Sequence, residues 1–209
     1  MILAVDTSLG TAVALVEADG HAVADASSHD SLGHAEVIGD LLTRALAEAE
    51  STPAEVTQVV AGMGPGPFTG LRIGIAAARG FALGRGISVM PVPSHFGAAL
   101  SVIDADAPDT AFAIVTDARR REVAVSIFEG LDADGIPNLI GETVLVPRAD
   151  VDERLRGMHA IEVATLDATA LARVGLRATI AGRTLTGPEP LYLRQPDAAA
   201  PTAPKRVGL

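Results

Sequence analysis

ILAVDTSLGTAVALVEADG, residues 2–20, and AIVTDARRREVAVSIFEG, residues 113–130, are the two stretches on which the fold turns. Each opens with a short β-rich run that ends in an aspartate, Asp6 in one and Asp117 in the other. Each then makes a tight polar connection and enters an alternating strand. Asp6 precedes Ala12 by six residues and Asp117 precedes Val123 by six. A polar, proline-containing hinge, DADAPDT at 104–110, lies between the copies, so the echo reads as a degenerate internal duplication.

Working outward, Asp19-Gly20 is a hairpin signal and 21–28 the return strand. From His34 to Glu50 the period changes. Val37, Ile38, Leu41, Leu42, Ala45, Leu46 and Ala49 fall at helical spacing. Strands are expected over 56–61 and 87–92, and helices over about 69–83 and 94–103, the last with Ser94 as its N-cap. In the second half, Asp134-Gly135 and 139–146 continue a sheet, and 148–156 and 166–181 read as helices. The expected organisation is a lobe over 1–104, a smaller one over 105–186, and a Pro- and Ala-rich tail over 187–209, loosely ordered apart from PLYLR at 190–194. Hairpins first and helices after, done twice, give an α/β protein with two mixed sheets. Two such lobes around a cleft describe the actin and sugar-kinase type of fold (ASKHA), here with a reduced second lobe.

Composition narrows the function. Aromatics make up only 3% of the 209 residues, so the core is aliphatic. There is no cysteine, which excludes disulfides, thiol nucleophiles and thiolate metal sites. No apolar run approaches the roughly 20 residues of a membrane span, and the N-terminus turns polar after five residues, unlike a signal peptide. A cytoplasmic protein with no membrane partner is expected. The formal charge of −10 opposes direct binding to nucleic acid.

The chemical candidates begin with GMGPGPFTGLRIGIAAARG at 62–80. Its loop residues are Gly64, Pro65, Gly66, Phe68, Thr69, Gly70 and Arg72. A Walker-type phosphate loop needs a lysine; the sole lysine is Lys205, and Pro65 and Pro67 remove N–H groups a cradle would use. The loop therefore reads as a rigid strand-to-helix turn with Thr69 available as a cap, against the alternative of anion or partner contact at the helix start. The helix after it is apolar nearly all round, which marks a central helix or one covered by another chain. Asp6, Thr7 and Ser8 would face phosphate in an actin-like site, or else end a strand and cap its turn. The five histidines, His21, His29, His34, His95 and His159, show no ligand spacing; His34 has Ile38 four residues on. No metal site, catalytic triad or catalytic residue is assigned. One enzymatic reading of these residues is a stand-alone actin-like ATP-dependent kinase or hydrolase using Asp6 and perhaps Asp117.

ILAVDTS, GMGPGPFTGLRIGIAAARGFALG, DARRREV and PLYLR, in this order along the chain, resemble the TsaB (YeaZ) family. That resemblance implies an actin-like fold and a non-catalytic paralogue of TsaD. TsaB works with TsaD and the ATPase TsaE in transferring a threonylcarbamoyl group to N6 of the adenosine beside the anticodon (t6A), in tRNAs reading codons that begin with A. TsaD-type proteins hold metal with an H-x-x-x-H pair on their first long helix; in the corresponding GHAEVIGD, Ile38 replaces the second ligand. The resemblance further implies TsaD and TsaE homologues as partners, a homodimer when the partner is absent, and tRNA contact only through the complex. No cofactor is expected for the chain alone, with ATP or ADP contacted at a joint surface. The partner interface is expected on the two apolar helices, at His34, Val37, Ile38, Leu41, Leu71, Ile75, Ala78 and Ala82.

Overall fold

A computed structural model describes residues 1–29 and 33–194. The expectation for the tail beyond Arg194, Lys205 included, lies outside the described residues. The first sheet runs in the order β3-β2-β1-β4-β5, from β1 (Ile2–Asp6), β2 (Thr11–Val16), β3 (Ala22–Ser28), β4 (Gln58–Gly62) and β5 (Val89–Val92). The second runs β8-β7-β6-β9, from β6 (Phe112–Asp117), β7 (Glu122–Leu131), β8 (Pro137–Pro147) and β9 (His159–Glu162). In each, the first strand pairs antiparallel with the next and parallel with a later one, so both sheets are mixed. The echo in the sequence is a real equivalence of register: Asp6 lies opposite Ala12 in one sheet and Asp117 opposite Val123 in the other.

Among the described residues, five helices complete the layers: α1 (His34–Glu48), α2 (Phe68–Arg85), α3 (Ser94–Asp106), α4 (Val151–Leu155) and α5 (Ala168–Ile180). Strand β1 is buried along its whole length and splits its side chains by the two-residue period. Leu3 and Val5 face α1 and α2, with Leu41, Leu71 and Ile75. Ile2 and Ala4 face a central core shared with Phe96 of α3, Phe112 and Phe128 of the second sheet, and Leu171 of α5. Helices α3 and α5 thus lie between the sheets, and α4 covers the outer face of the second through Leu155. Helix α5 comes from the 105–186 segment but packs on the first sheet: a Cβ on Gly175 would stand 2.4 Å from Val60.

Some local expectations change. Strand β9 is too short to carry a period. The helix expected over 148–156 is a 3-10 turn, Arg148–Asp150, followed by the five residues of α4. Neither Thr69 nor Ser94 caps its helix: Pro67 and Pro93 hold the N-cap positions, which pre-set an extended entry. Asp167 caps α5, accepting from the N–H groups of Thr169 and Ala170.

Candidate functional site

The four quoted motifs meet at the C-terminal ends of β1, β4 and β6. The turn after β1 is sealed beneath the loop after β4. Ser8 donates its backbone N–H to Asp6 Oδ1 at 2.7 Å, Ser94 donates its hydroxyl to Asp6 Oδ2, and Thr7 Oγ1 donates to the Gly70 carbonyl at 2.7 Å. The motif glycines exist for this contact. A Cβ on Gly62 would lie 1.7 Å from Asp6 Oδ2, on Gly74 2.1 Å from Thr7 Oγ1, on Gly66 2.8 Å from Ser8 Cα, and on Gly70 2.8 Å from the Thr7 carbonyl. The loop is a seat for a backbone turn, held further by Ser94, which accepts the Gly64 N–H and donates its own N–H to the Gly64 carbonyl.

Of the two readings of Asp6, Thr7 and Ser8, this supports the strand end and its turn and corrects the phosphate-facing alternative. All three are buried. Asp6 forms part of the floor of a cleft of about 400 Å³ beside Gly10 and Asp167, yet only 1% of it meets solvent. Burial pushes its carboxyl above the usual aspartate range, against the pull of its serine hydrogen bonds. A group so placed ends a strand and fixes a turn.

The eight residues expected at a partner interface need the same correction. His34, Ile38, Leu41, Leu71, Ile75, Ala78 and Ala82 are buried within this chain, and Val37 is half-buried. The apolar stripe of each helix covers its own sheet before anything else. The outward faces carry other residues: Glu36, Asp40 and Arg44 on α1, and Ala76, Gly80 and Leu83 on α2, with Leu83 84% exposed.

His34 does not suit a metal. Its Nδ1 shares a hydrogen bond with Thr11 Oγ1 at 2.8 Å, a Cβ on Gly70 would lie 2.9 Å from its Nε2, and the helical turn that would carry a second ligand presents core Ile38. No step through a metal follows from these residues. His95 is also buried and hydrogen-bonded, to Ser126 Oγ at 2.6 Å and Thr116 Oγ1 at 2.9 Å. Burial pushes its pKa down to about 3, so it is neutral.

A second open space lies on the other side of the motif loop. A cavity of about 500 Å³ is bounded by Pro65, Pro67 and Phe68 on one side and by the β6–β7 turn, Asp117 to Arg120, on another. The PLYLR segment closes it as a strap. Leu191 donates to the Met63 carbonyl at 2.8 Å, and Tyr192 stacks on Phe68 with ring centroids 4.5 Å apart. Arg72 lies 3.7 Å over the Phe68 ring and donates from Nε to the Tyr192 hydroxyl at 3.0 Å. Arg194 pairs with Glu122 at the start of β7. Tyr192, Arg194 and residues 118–120 had no assigned role in the sequence, and Asp117 entered only as a candidate for the kinase or hydrolase reading. The available signal was that Tyr192 is the only tyrosine in a chain poor in aromatics.

A family model described as TsaD, tRNA N6-adenosine threonylcarbamoyltransferase, matches residues 28–162. An uncharacterized protein of Mycobacterium tuberculosis is 39% identical, over 81% of this chain and 79% of its own length. One of Mycobacterium leprae is 36% identical over 97% of this chain, which spans 57% of that relative's length. A tRNA N6-adenosine threonylcarbamoyltransferase of Streptococcus suis is 33% identical over 52% of this chain, but over only 38% of its own length. Among solved structures, YeaZ from Pseudomonas aeruginosa superposes with a TM-score of 0.77 at 24% identity, covering 92% of this chain and 99% of that one. That likeness shows the fold.

Proposed function

Because the chain belongs to the TsaD family, we propose that it serves as a non-catalytic subunit of the threonylcarbamoyl-transfer (t6A) system, docking a TsaD homologue rather than performing the transfer. One observation carries this reading: the place where the resemblance puts a metal-binding histidine pair holds a sealed His34 and an aliphatic Ile38, both part of the packing under the first sheet. In this proposal a TsaE homologue joins the assembly, tRNA is met only through the complex, and ATP or ADP binds at a joint surface. The docking surface is the outward side of α1 and α2, which also pairs two copies when the partner is absent. Among the described residues no helix is long and apolar enough to cross a membrane.

The test is reconstitution. The chain, a TsaD homologue and a TsaE homologue from one cell are combined with substrate tRNA, and each is omitted in turn. The reading requires modification to fail when this chain is left out, and a one-to-one complex with TsaD by size-exclusion chromatography with light scattering. Full modification without it would sink the proposal. ATP turnover by the purified chain, abolished by Asp6→Asn, would establish the independent kinase or hydrolase instead.

A further inference from the structure

The space behind the strap is unlike the packed interior around it. Interiors leave few voids larger than a water molecule, yet about 500 Å³ remains here beneath a segment that spans it rather than fills it. The apolar walls come from Pro65, Pro67 and Phe68 of the motif loop, Leu145 of β8, and Leu191 and Leu193 of the strap. The polar side chains on the walls are all engaged. Thr116 Oγ1 is hydrogen-bonded to His95 at 2.9 Å, and Asp117 pairs with Arg148 at 3.5 Å. The Tyr192 hydroxyl accepts from Arg72, and Arg194 pairs with Glu122. Arg119 and Arg120 each have an interaction partner within the chain. What these walls leave unanswered is therefore apolar surface, around a volume within the usual range of small-molecule sites.

The strap has the build of a lid. It leaves the body through Gly187, Pro188 and Glu189, all exposed, with the Pro188 carbonyl fixed by Arg79. Beyond that point it is held by contacts that can part without disturbing either sheet. The Leu191 N–H meets the Met63 carbonyl, Tyr192 stacks on Phe68, and Arg194 meets Glu122 with both side chains partly exposed.

We propose that this cavity binds a neutral, ring-sized apolar molecule, which enters when the strap lifts beyond Pro188 and is then held between Phe68 and Leu145. A charged ligand would give up its hydration to walls with no free charge to meet it. The site belongs to the single chain and stands or falls apart from the role proposed above.

The experiment uses the full chain alone and the neutral dye N-phenyl-1-naphthylamine, with 8-anilinonaphthalene-1-sulfonate as its charged counterpart. Tyr192 is the only tyrosine and the chain has no tryptophan, so its emission reports on the strap alone. The proposal requires one neutral dye per chain and quenching of Tyr192 emission by energy transfer to it. It also requires the sulfonate to bind at least about tenfold more weakly, the cost of taking a charge into an apolar space. Arg194→Gln should raise the rate of dye entry in stopped flow by a factor of about two to five, what a partly exposed ion pair contributes. Leu145→Trp, which fills the cavity, should abolish binding by equilibrium dialysis; if that variant misfolds by circular dichroism, Leu193→Trp makes the same test from the strap. Equal binding of both dyes, binding lost in Leu83→Arg on α2 instead, Tyr192 emission unchanged by the bound dye, or an entry rate unmoved by Arg194→Gln would overturn the proposal.

Discussion

Ser94 and His95 are neighbours in sequence, yet they hydrogen-bond into opposite sheets. Ser94 reaches Asp6 in the first and Gly64 in the loop just after β4; His95 reaches Thr116 and Ser126 in the second. Asp6 and Thr116 stand at the ends of β1 and β6, the two strands that the internal echo relates. The first residues of α3 therefore pin the two copies of the duplicated motif together. The strap does the same from outside, since Tyr192 is held by Arg72 and Arg194 by Glu122.

The pin has a pH signature. In the unfolded chain His95 takes up a proton as pH falls through about 6.5, whereas in the folded chain its pKa is pushed down to about 3. Between those values the unfolded state binds the extra proton, so stability is lost on acidification, by up to about 1.4 kcal/mol per pH unit. Asp6 works in the opposite sense: with its folded pKa raised, its contribution is present at low pH and is lost as pH rises above the ordinary aspartate value. His95→Gln should cost about 1–3 kcal/mol at neutral pH through its broken hydrogen bonds. It should also remove about one proton from the slope of stability against pH between 6 and 4. Urea unfolding across that range reads both quantities; an unchanged slope would mean that His95 titrates normally.

The motif glycines separate into two classes that one substitution distinguishes. Gly62→Ala and Gly74→Ala put a methyl 1.7 Å from Asp6 Oδ2 and 2.1 Å from Thr7 Oγ1, and the sealed turn has no room to yield. Each should cost several kcal/mol, about 3 or more, or abolish folding. Gly80→Ala, on the open face of the same helix with nothing within 4 Å, should raise stability by up to about 1 kcal/mol from helix propensity. Thermal melts of the three variants check the ordering.

The duplicated strand–Asp–hairpin unit was legible because strand period and turn chemistry are local: the two registers and the turn at Asp19-Gly20 follow from them. The loop at 62–80 was legible as a structural turn from its missing lysine and its prolines. Its partner was not, since nothing near Gly74 in the sequence names Thr7. The choice of inward face failed for a related reason. Periodicity identifies Leu41 and Ile75 as the apolar stripe, and that stripe goes first to the sheet of the same chain. The strap was quoted as a motif without a role because its contacts, Arg72 to Tyr192 and Glu122 to Arg194, span 120 and 72 residues.

The strap should be separable from the fold. Tyr192→Ala removes a ring stacked on Phe68 and a hydroxyl that accepts from Arg72, on a segment that is itself half-exposed. The expected loss is about 1–2 kcal/mol. Backbone amides near Leu191 and Met63, joined by one hydrogen bond, should exchange faster while those of β1 keep their protection. Hydrogen exchange by mass spectrometry distinguishes this from global destabilisation, in which both regions would change together.

Association should respond to the outward face of α2 and not to its buried stripe. Ile75 and Leu41 are packed beneath the first sheet, so Ile75→Arg or Leu41→Arg buries an unpaired charge and should unfold the chain. Leu83 is 84% exposed on the same helix as Ile75. Leu83→Arg should leave the circular dichroism spectrum and melting temperature almost unchanged, since surface substitutions typically shift stability by no more than about 0.5 kcal/mol. If the outward side of α2 docks a TsaD homologue or a second copy, the same variant should weaken that complex by at least about tenfold, the cost of roughly 1.4 kcal/mol expected when a charge enters an apolar contact. Light scattering behind size-exclusion chromatography, with and without the partner, reads the outcome. A complex that forms normally with Leu83→Arg would move the docking surface off this face of α2, leaving α1, with Asp40 and Arg44, as the next surface to substitute.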